Sequence, residues 1–188
     1  MSFPRVLKKI TAALDHAGVT YMLTGSFASA YYGSPRSTQD IDFVIASTPA
    51  QLRAFVGSLP HGEYYADLDA ALEAQKQESM FNIIDLESGW KIDLIIRKSR
   101  AFSQEEFGRR QQVSVLETVL FVATAEDVVI AKLEWAKQAQ SRRQLEDAAG
   151  ILKMRRDSLD RAYLEKWISK LGLTTEWNES RGIAGISG

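Results

Sequence analysis

The sequence predicts an α/β protein with a helical extension, and two stretches carry most of this prediction. Residues 20–46 have the pattern of a strand, a tight turn, a short helix, a loop and a second strand. Between residues 80 and 96, two apolar, β-branched runs flank a turn of hairpin composition. After these, only helical spacing recurs. We therefore expect a small mixed β-sheet flanked by helices in residues 1–123 and a C-terminal helical subdomain in residues 124–188.

Composition excludes several classes of protein. The 188 residues are 45% hydrophobic and 25% charged, which is ordinary for a soluble globular chain, and the net charge of −1 provides no global basic field for nucleic acid. The absence of cysteine excludes disulfides and thiolate zinc sites. The two histidines, His16 and His61, are far apart in sequence. No apolar run reaches membrane-spanning length and no signal-peptide core is present, so we expect a cytoplasmic protein without a membrane partner.

The first elements lead to a candidate anion site. Residues 3–17 have apolar residues at helical spacing, and a strand follows that ends at Thr24. Gly25 permits a sharp turn, and Ser26 can cap a helix and present backbone N–H groups at its start. Such a helix start favours phosphate. This helix is expected to end at Gly33.

A pair of carboxylates opens the next strand. Asp40 and Asp42 flank an isoleucine at the head of an apolar run, and residues two apart on a strand project to the same face. Two carboxylates this close repel each other unless a cation lies between them. Oxygen ligands of this kind suit Mg²⁺ or Mn²⁺. The stretch thus combines a phosphate cradle with a candidate metal site.

This combination resembles the nucleotidyltransferase superfamily, which has a DNA-polymerase-β-like palm. The family pattern is Gly-Ser, a short helix, Asp-hydrophobic-Asp on the next strand, and a third carboxylate on a later strand. The present form looks most like the AbiEii-type, abortive-infection branch of transferases and toxins. The residues that carry the resemblance are Gly25, Ser26, Arg36, Thr38, Asp40 and Asp42.

The middle of the chain is expected to add helices and a hairpin. Residues 49–58 and 67–77 have helical patterns, and His61 lies in the turn between them, where we expect it to be exposed. The strands at 80–86 and 91–96 are joined by a turn that contains a glycine.

Asp93 is acidic within the second of these apolar strands, and two readings remain open. It could be a strand-edge charge that pairs with Lys91 or Arg97. The resemblance instead implies that it is the third metal-binding carboxylate, on a strand antiparallel to the strand that carries Asp40 and Asp42.

The remaining strands and the first C-terminal helix follow from pattern. A short helix over 103–109 precedes extended segments at 112–115 and 118–123. Thr124 and Asp127 suggest a capping box at the start of the next helix, although Glu or Gln is more usual at the third position.

Three more helices complete the prediction. They begin near Ser141, Ser158 and Thr174, and the last is expected to end near Ser180. The Gly-rich tail from Arg181 is expected to fray.

Two residues of the helical part match family positions. The resemblance places an active-site lysine on the first helix after the palm and an acidic residue later, and Lys132 and Asp147 are the matching positions. The alternatives are a surface lysine for Lys132 and an exposed helical pair with Arg143 for Asp147. Trp135 and Trp167 are expected in the core rather than as base-stacking platforms.

Two loop residues keep a smaller role. Arg36 either contacts phosphate bidentately or tethers the loop. Thr38 is expected to form a loop hydrogen bond rather than to act in catalysis. The alternative for the carboxylate pair is a solvated strand start that is salt-bridged by Arg36.

The resemblance implies a division of roles. Asp40 and Asp42 would bind the metal that holds a nucleoside triphosphate, and Asp42 with Asp93 would bind a second ion that activates the acceptor hydroxyl. Ser26 and nearby amides would bind the terminal phosphates. Gly25, Arg36, Thr38 and Asp147 complete the expected nucleotide site, and Lys132 joins the catalytic set.

The function that follows is Mg²⁺-dependent transfer of a nucleoside monophosphate from an NTP to an acceptor hydroxyl. The acceptor could be an RNA or tRNA 3′ end, a protein side chain or a small molecule, and a toxin–antitoxin partner is possible. The alternative from another class is a non-catalytic nucleotide- or partner-binding module that keeps the fold.

Overall fold

A computed structural model describes residues 3–33 and 35–186, which pack into two compact units. The first, here called the sheet unit, lies within Met1–Thr24 and Thr38–Val122 and contains the described strands. The second, the helical unit, lies within Gly25–Ser37 and Ala123–Gly188. The described helices are α1 Phe3–His16, α2 Gly25–Tyr32, α3 Pro49–Ser58, α4 Leu68–Lys76, α5 Ala101–Arg109, α6 Ala125–Ala139, α7 Arg142–Arg155, α8 Arg161–Leu171 and α9 Thr174–Ala184.

The described strands form one mixed sheet in the order β3-β4-β5-β2-β1-β7-β6. Their bounds are β1 Thr20–Leu23, β2 Asp40–Ala46, β3 Tyr64–Ala66, β4 Met80–Asp85, β5 Lys91–Ile96, β6 Gln111–Val115 and β7 Thr118–Val122. The pairs β1/β2, β3/β4, β4/β5 and β6/β7 are antiparallel, whereas β1/β7 and β2/β5 are parallel. The predicted mixed sheet flanked by helices is therefore confirmed.

The pairing of β2 with β5 corrects one expectation. The third carboxylate was expected on a strand antiparallel to β2, but β5 runs parallel to it. The reason lies in the connection, because α3, β3, α4 and β4 intervene between the two strands and allow a crossover. In the resulting register Asp42 lies opposite Asp93, and Asp40 lies opposite Lys91.

Helices of the sheet unit form by recognisable local rules. In α1, apolar residues at helical spacing form the buried stripe Val6, Leu7, Ile10 and Leu14. The N-terminus of α3 has a complete capping box, in which Thr48 Oγ1 accepts from the Gln51 amide at 3.2 Å and Gln51 Oε1 accepts from the Thr48 amide at 2.8 Å.

The helical unit contains α2, from the N-terminal part of the chain, together with the C-terminal helices. Helix α2 packs against α6 and α7, although it lies about a hundred residues earlier in the chain. The approach is close at Gly33, where an added Cβ would lie 2.8 Å from the Ile151 amide nitrogen. The sequence predicted that α2 ends at Gly33, and its last helical residue is the preceding Tyr32.

The expected start of α8 and the expected end of α9 are wrong. Helix α8 begins at Arg161 rather than near Ser158, because Asp160 rather than Ser158 caps it. Helix α9 continues through Arg181 to Ala184, so residues 181–184 are not frayed. The reason is that Ser180 is buried and Gly185 closes the helix in the left-handed conformation (φ +70°). Residues 187 and 188 lie outside the described residues.

The two tryptophans differ in exposure. Trp167 is buried, as expected, but Trp135 is 46% exposed and does not belong to the core. The spacing of apolar residues correctly predicted that α6 is a helix, but it does not show which side of this helix other elements cover. No helix within 3–33 and 35–186 has the length and apolarity needed to cross a membrane.

Candidate active site

The sheet unit presents three carboxylates on one face of the β2/β5 pair. Asp40 and Asp42 are two residues apart on β2, and Asp93 faces Asp42 from the adjacent parallel strand. The three aspartates differ in burial: Asp40 is exposed, Asp42 is half-buried, and Asp93 is only 6% exposed. The alternate residues Ile41 and Ile92 are fully buried on the opposite face. This alternation sets the direction of the acidic side chains.

Lys91 lies among these carboxylates. Its ammonium Nζ is 2.9 Å from Asp93 Oδ2 and 3.7 Å from Asp40 Oδ1. Lys91 precedes Asp93 by two residues on β5, so both side chains belong to the same face. The hydrogen bond to Asp93 raises the pKa of Lys91 above its usual value, which keeps the side chain charged. The alternative interpretation, in which Asp93 pairs with Lys91, therefore agrees with the structure.

Asp93 retains unused hydrogen-bonding capacity. Its Oδ1 is buried and has no hydrogen-bond partner among the described residues. Burial raises the pKa of the Asp93 carboxyl above its ordinary value, while Lys91 acts in the opposite direction. A buried carboxylate oxygen without a donor is costly unless a cation reaches it. The donor set, all carboxylate oxygens with one unpartnered, fits a divalent cation such as Mg²⁺.

These carboxylates do not form a ready-made metal centre. Over residues 3–33 and 35–186, no group of three or more Asp, Glu or His side chains is arranged so that it could hold a metal ion. Between two of the carboxylates lies the Lys91 ammonium, which supplies one positive charge to Asp40 and Asp93. The structure thus places the three carboxylates on one face without closing them around a common point.

Backbone hydrogen bonds fix the start of β2. The Asp40 amide donates to Thr38 Oγ1 at 3.2 Å, so Thr38 is the loop hydrogen-bonder that the sequence predicts. The Thr24 amide donates to the Asp42 carbonyl at 2.9 Å, immediately beyond the end of β1. These bonds limit the freedom of both aspartate backbones.

The helical unit contains a second polar cluster, here called the basic network: Ser26, Arg36, Lys132 and Asp147. Arg36 Nε donates to both Asp147 oxygens, at 3.1 and 3.2 Å, and Arg36 Nη2 donates to the Ser26 hydroxyl. Lys132 Nζ lies 2.8 Å from Asp147 Oδ2. With two cations and one carboxylate, the basic network carries a net charge of +1.

Burial distinguishes the basic network from a surface ion pair. The side chains of Lys132 and Asp147 are 5% and 8% exposed, and that of Arg36 is 25% exposed. Lys132 is therefore not a surface lysine, and Asp147 is not an exposed partner of Arg143. A buried cation that keeps its charge needs a charged partner, and Asp147 supplies it to both cations.

Local geometry explains how these side chains meet. Helices α6 and α7 form an antiparallel hairpin whose turn places Gln140 in the left-handed conformation (φ +49°). The hairpin brings Lys132 and Asp147 together across 15 residues of sequence. Gly25 has φ +63° at the start of α2, as expected for the sharp turn. Ser26 lies inside the first turn of α2 and not at its N-cap, so the expected capping role is wrong; its hydroxyl bonds to Arg36 instead.

Sequence reasoning missed two residues near the predicted positions. Lys91 was considered only as a possible partner of Asp93, although its spacing of two from Asp93 already placed it on the carboxylate face. Trp135 was assigned to the core, yet it is exposed and lies one helical turn after Lys132 on α6. No sequence signal separates an exposed from a buried tryptophan at this spacing.

Comparison with known proteins gives a fold relationship. No protein-family model and no curated protein matches the chain. The solution structure of the antibiotic-resistance factor ANT(2″)-Ia matches with a TM-score of 0.60 and 14% identity over 95% of each chain. A Thermotoga maritima structure, provisionally described as a nucleotidyltransferase, has a TM-score of 0.49 and 16% identity, covering 90% of this chain and 96% of that one. An antigenic nucleotidyltransferase-like protein of Paracoccidioides brasiliensis has a TM-score of 0.47 and 14% identity, covering 94% and 90%.

At 14% identity, similarity to ANT(2″)-Ia over nearly the whole length concerns the fold and not the activity. It agrees with the fold expected from residues 20–46, in which a strand, a short helix and an Asp-hydrophobic-Asp strand follow one another. The chain therefore has the mixed α/β fold of the nucleotidyltransferases.

Proposed function

We propose that this protein is a Mg²⁺-dependent nucleotidyltransferase that moves a nucleoside monophosphate from an NTP to an acceptor hydroxyl and releases pyrophosphate. One observation carries the proposal: Asp40, Asp42 and Asp93 share one face of β2/β5, and a buried oxygen of Asp93 has no partner. The buried Asp93 oxygen without a donor is costly, and three carboxylates on one face repel one another, so we attribute their clustering to a cation that binds in function.

In this proposal the carboxylates have separate duties. Asp40 and Asp42 would hold the ion that accompanies the triphosphate, and Asp42 and Asp93 would hold the ion that activates the acceptor. When bound, the divalent ions would neutralise phosphate charge and lower the pKa of the acceptor hydroxyl. Lys91 contributes one positive charge beside Asp93 and Asp40.

The basic network is assigned to phosphate binding. Arg36 and Lys132 offer guanidinium and ammonium donors, and the Ser26 hydroxyl lies beside Arg36. Asp147 does not need to touch the substrate, since it orients both cations through hydrogen bonds of 2.8–3.2 Å. Gly25 permits the sharp turn at the start of α2, and the Thr38 hydroxyl fixes the start of β2.

The proposal also concerns the acceptor and the biological role. An RNA or tRNA 3′ end, a protein side chain and a small molecule all offer a hydroxyl. The similarity to an antibiotic-resistance factor keeps the small molecule among them. We place the chain in the AbiEii-type branch on the pattern from Gly25 to Asp42, which would make a toxin–antitoxin partner part of its function.

A labelling experiment tests transfer. The protein is incubated with each NTP labelled at the α-phosphate, Mg²⁺ and a total cell extract. The test variant is Asp40→Asn/Asp42→Asn, and the matched control is Asp67→Asn/Asp69→Asn at the start of α4, which removes the same charge. Label that moves to an RNA, protein or small-molecule fraction, and is lost only in the first variant, supports the proposal and identifies donor and acceptor together.

One observation favours a second candidate, a non-catalytic binding module. The Lys91 ammonium lies 2.9 Å from Asp93 Oδ2 and 3.7 Å from Asp40 Oδ1, so a side-chain cation already serves two of the three carboxylates. Calorimetry separates the candidates, because the enzyme should bind nucleotide more tightly with Mg²⁺ than with EDTA. Nucleotide binding that ignores the metal, together with no transfer of label, would establish the module and remove the enzyme.

A further inference from the structure

The helical unit contains a cavity of about 340 Å³ between α7, α8 and α9. This volume lies at the lower end of the range for small-molecule sites, which is about 300–1,000 Å³. Its apolar lining consists of Leu152, Leu159, Leu164 and Ile186. The cavity is therefore large enough for a ring-containing ligand and has a surface that would bury one.

Three arginines border this apolar lining. Arg156 follows the last turn of α7, Arg161 opens α8, and Arg181 lies on α9. None of them forms an ion pair with any described residue, and Glu165 is the acidic residue in the lining. The local charge is thus +2 in a chain whose net charge is −1. Such a concentration of unpaired guanidinium groups favours an anionic ligand.

A tryptophan completes the lining. Trp177 is partly exposed, and the Arg181 guanidinium lies 6.0 Å from its ring centroid. An indole face next to a guanidinium offers a stacking surface for a planar ring and a donor for an anion attached to that ring. An aromatic ring that carries phosphate meets both requirements.

This cavity is separate from the basic network. Asp147 and Arg156 are nine residues apart around α7, which corresponds to about 14 Å along the axis and to opposite faces of the helix. A ligand in the cavity would therefore meet side chains other than those assigned to nucleotidyl transfer.

We propose that the α7–α8–α9 cavity is a second binding site for a nucleoside phosphate, with the base stacked on Trp177 and the phosphate held by Arg156, Arg161 and Arg181. The planar donor pairs of arginine match phosphate oxygens, and the apolar lining covers the base and sugar. The ligand is either a free mononucleotide or the terminal nucleotide of an RNA strand, which present the same chemistry. Arginine neutralises the phosphate, so binding requires no metal ion.

The test is a titration with AMP in EDTA, followed by calorimetry and by tryptophan fluorescence. The protein carries Asp40→Asn/Asp42→Asn, so neither metal binding nor transfer contributes to the signal. The expected result is saturable binding with quenching that disappears in Trp177→Leu. Failure of the proposed transferase activity would leave this result unchanged, because the measurement involves neither metal nor transfer.

A charge-matched pair of variants locates the site. Arg161→Gln/Arg181→Gln should weaken AMP binding by about 10-fold or more, since it removes two charge-assisted contacts. Arg53→Gln/Lys98→Gln removes the same charge from exposed positions of the sheet unit and should leave the affinity unchanged. Equal weakening in both pairs, or no AMP binding by the unsubstituted cavity, would overturn the proposal.

Two further probes identify the source of the ligand. A labelled oligoribonucleotide of about six nucleotides, long enough to occupy a strand-binding groove, should compete with AMP if the natural ligand is a strand end. If AMP binds and the oligoribonucleotide does not, the natural ligand is a free nucleotide. Binding of an acidic apolar peptide without AMP would overturn the proposal in favour of a protein-docking site. Should Arg161→Gln/Arg181→Gln fail to fold, Arg156→Gln at an exposed position replaces it, with Arg53→Gln as the control that removes the same single charge.

Discussion

At the scale of single residues, Lys91 supplies a positive charge among the carboxylates of the candidate metal site. A lysine two positions before Asp93 shares its face of β5, and its ammonium bridges Asp93 and Asp40. Three carboxylates without metal would repel one another, so this lysine makes their clustering tolerable. The cost that remains falls on Asp93, whose buried Oδ1 has no partner.

Asp93→Asn should separate function from stability. Burial raises the pKa of Asp93 in the folded state, so folding favours the neutral carboxyl. The free energy of unfolding that this group contributes is therefore present at low pH and is lost as pH rises through the folded-state pKa. In EDTA at about pH 7 the variant should therefore unfold at a temperature equal to or above that of the original protein. Nucleotidyl transfer should fall by about 100-fold or more.

Thermal unfolding in EDTA at several pH values checks this expectation. The difference in stability between the variant and the original protein should grow as pH rises from the acid range. A clear loss of stability in the variant at neutral pH would instead show that Asp93 serves mainly as the structural partner of Lys91.

Buried tyrosines predict the behaviour of the protein in alkali. Burial raises the pKa of Tyr21, Tyr32 and Tyr64 to about 12. A group whose pKa is higher in the folded state contributes stability below its unfolded pKa and loses it as pH rises through the folded value. The free energy of unfolding should therefore decline between about pH 10 and pH 12.

Tyrosinate absorbance measures the ionisation of the tyrosines, and denaturant unfolding measures the decline in the free energy of unfolding. Tyr32→Phe should reduce the decline, because it removes one of the three groups. Tyr65→Phe, at a residue that is 54% exposed, is the matched control and should leave the decline as it is. An equal effect of both substitutions would contradict the assignment to buried tyrosines.

At the scale of elements, the α6–α7 hairpin holds a buried charge pair. Asp147→Ala would remove the carboxylate that lies 2.8 Å from the Lys132 ammonium, and the Lys132 side chain is only 5% exposed. Removal of one partner of such a pair costs about 3–5 kcal/mol of the free energy of unfolding. Lys132→Met/Asp147→Leu should recover much of this loss, because apolar side chains of similar volume replace the pair.

Denaturant unfolding and the transfer assay together examine the pair. Both the single and the double variant should be inactive, whereas only the single variant should be strongly destabilised. If the double variant kept full activity, Lys132 and Asp147 would be structural residues alone, and their proposed role in phosphate binding would be withdrawn.

The contact between α2 and α7 gives a prediction about glycine. An added Cβ at Gly33 would lie 2.8 Å from the Ile151 nitrogen, and a backbone atom cannot move away as a side chain can. Gly33→Ala should therefore lower the free energy of unfolding by about 1–3 kcal/mol.

Gly57→Ala is the matched control, since it lies in α3 with no atom within 4 Å of the added Cβ. It should be neutral or raise stability by up to about 1 kcal/mol, because alanine reduces the freedom of the unfolded chain. Equal destabilisation by both substitutions, measured by denaturant unfolding, would refute the close approach.

At the scale of the whole molecule, the two units interleave along the sequence. Helix α2 lies between β1 and β2, yet it packs with α6 and α7 in the helical unit. A fragment of residues 1–123 would contain α2 without these partners and would expose its buried residues. We expect this fragment to lack a cooperative unfolding transition, unlike the full chain.

Circular dichroism during thermal unfolding of both proteins checks this expectation. A fragment that unfolds cooperatively, with helix content equal to the corresponding part of the full chain, would show that residues 1–123 fold as a domain of their own.

The sequence by itself determined much of the local structure. Bounds of α3 and β5 follow from the Thr48 cap and from an apolar run, and both agree with the prediction. The common face of Asp40 and Asp42 follows from the two-residue period of a strand, which local stereochemistry imposes. Similarity of residues 20–46 to the nucleotidyltransferase pattern also led to the correct fold.

Only the tertiary structure decided which elements became neighbours. It made β5 parallel to β2, brought Asp147 to Lys132 and Arg36, and left Trp135 exposed. The physical reason is that side-chain periodicity reports which face of an element is apolar but not which partner covers it. The choice of partner depends on long-range packing, which must offset the entropy of closing the chain between distant segments.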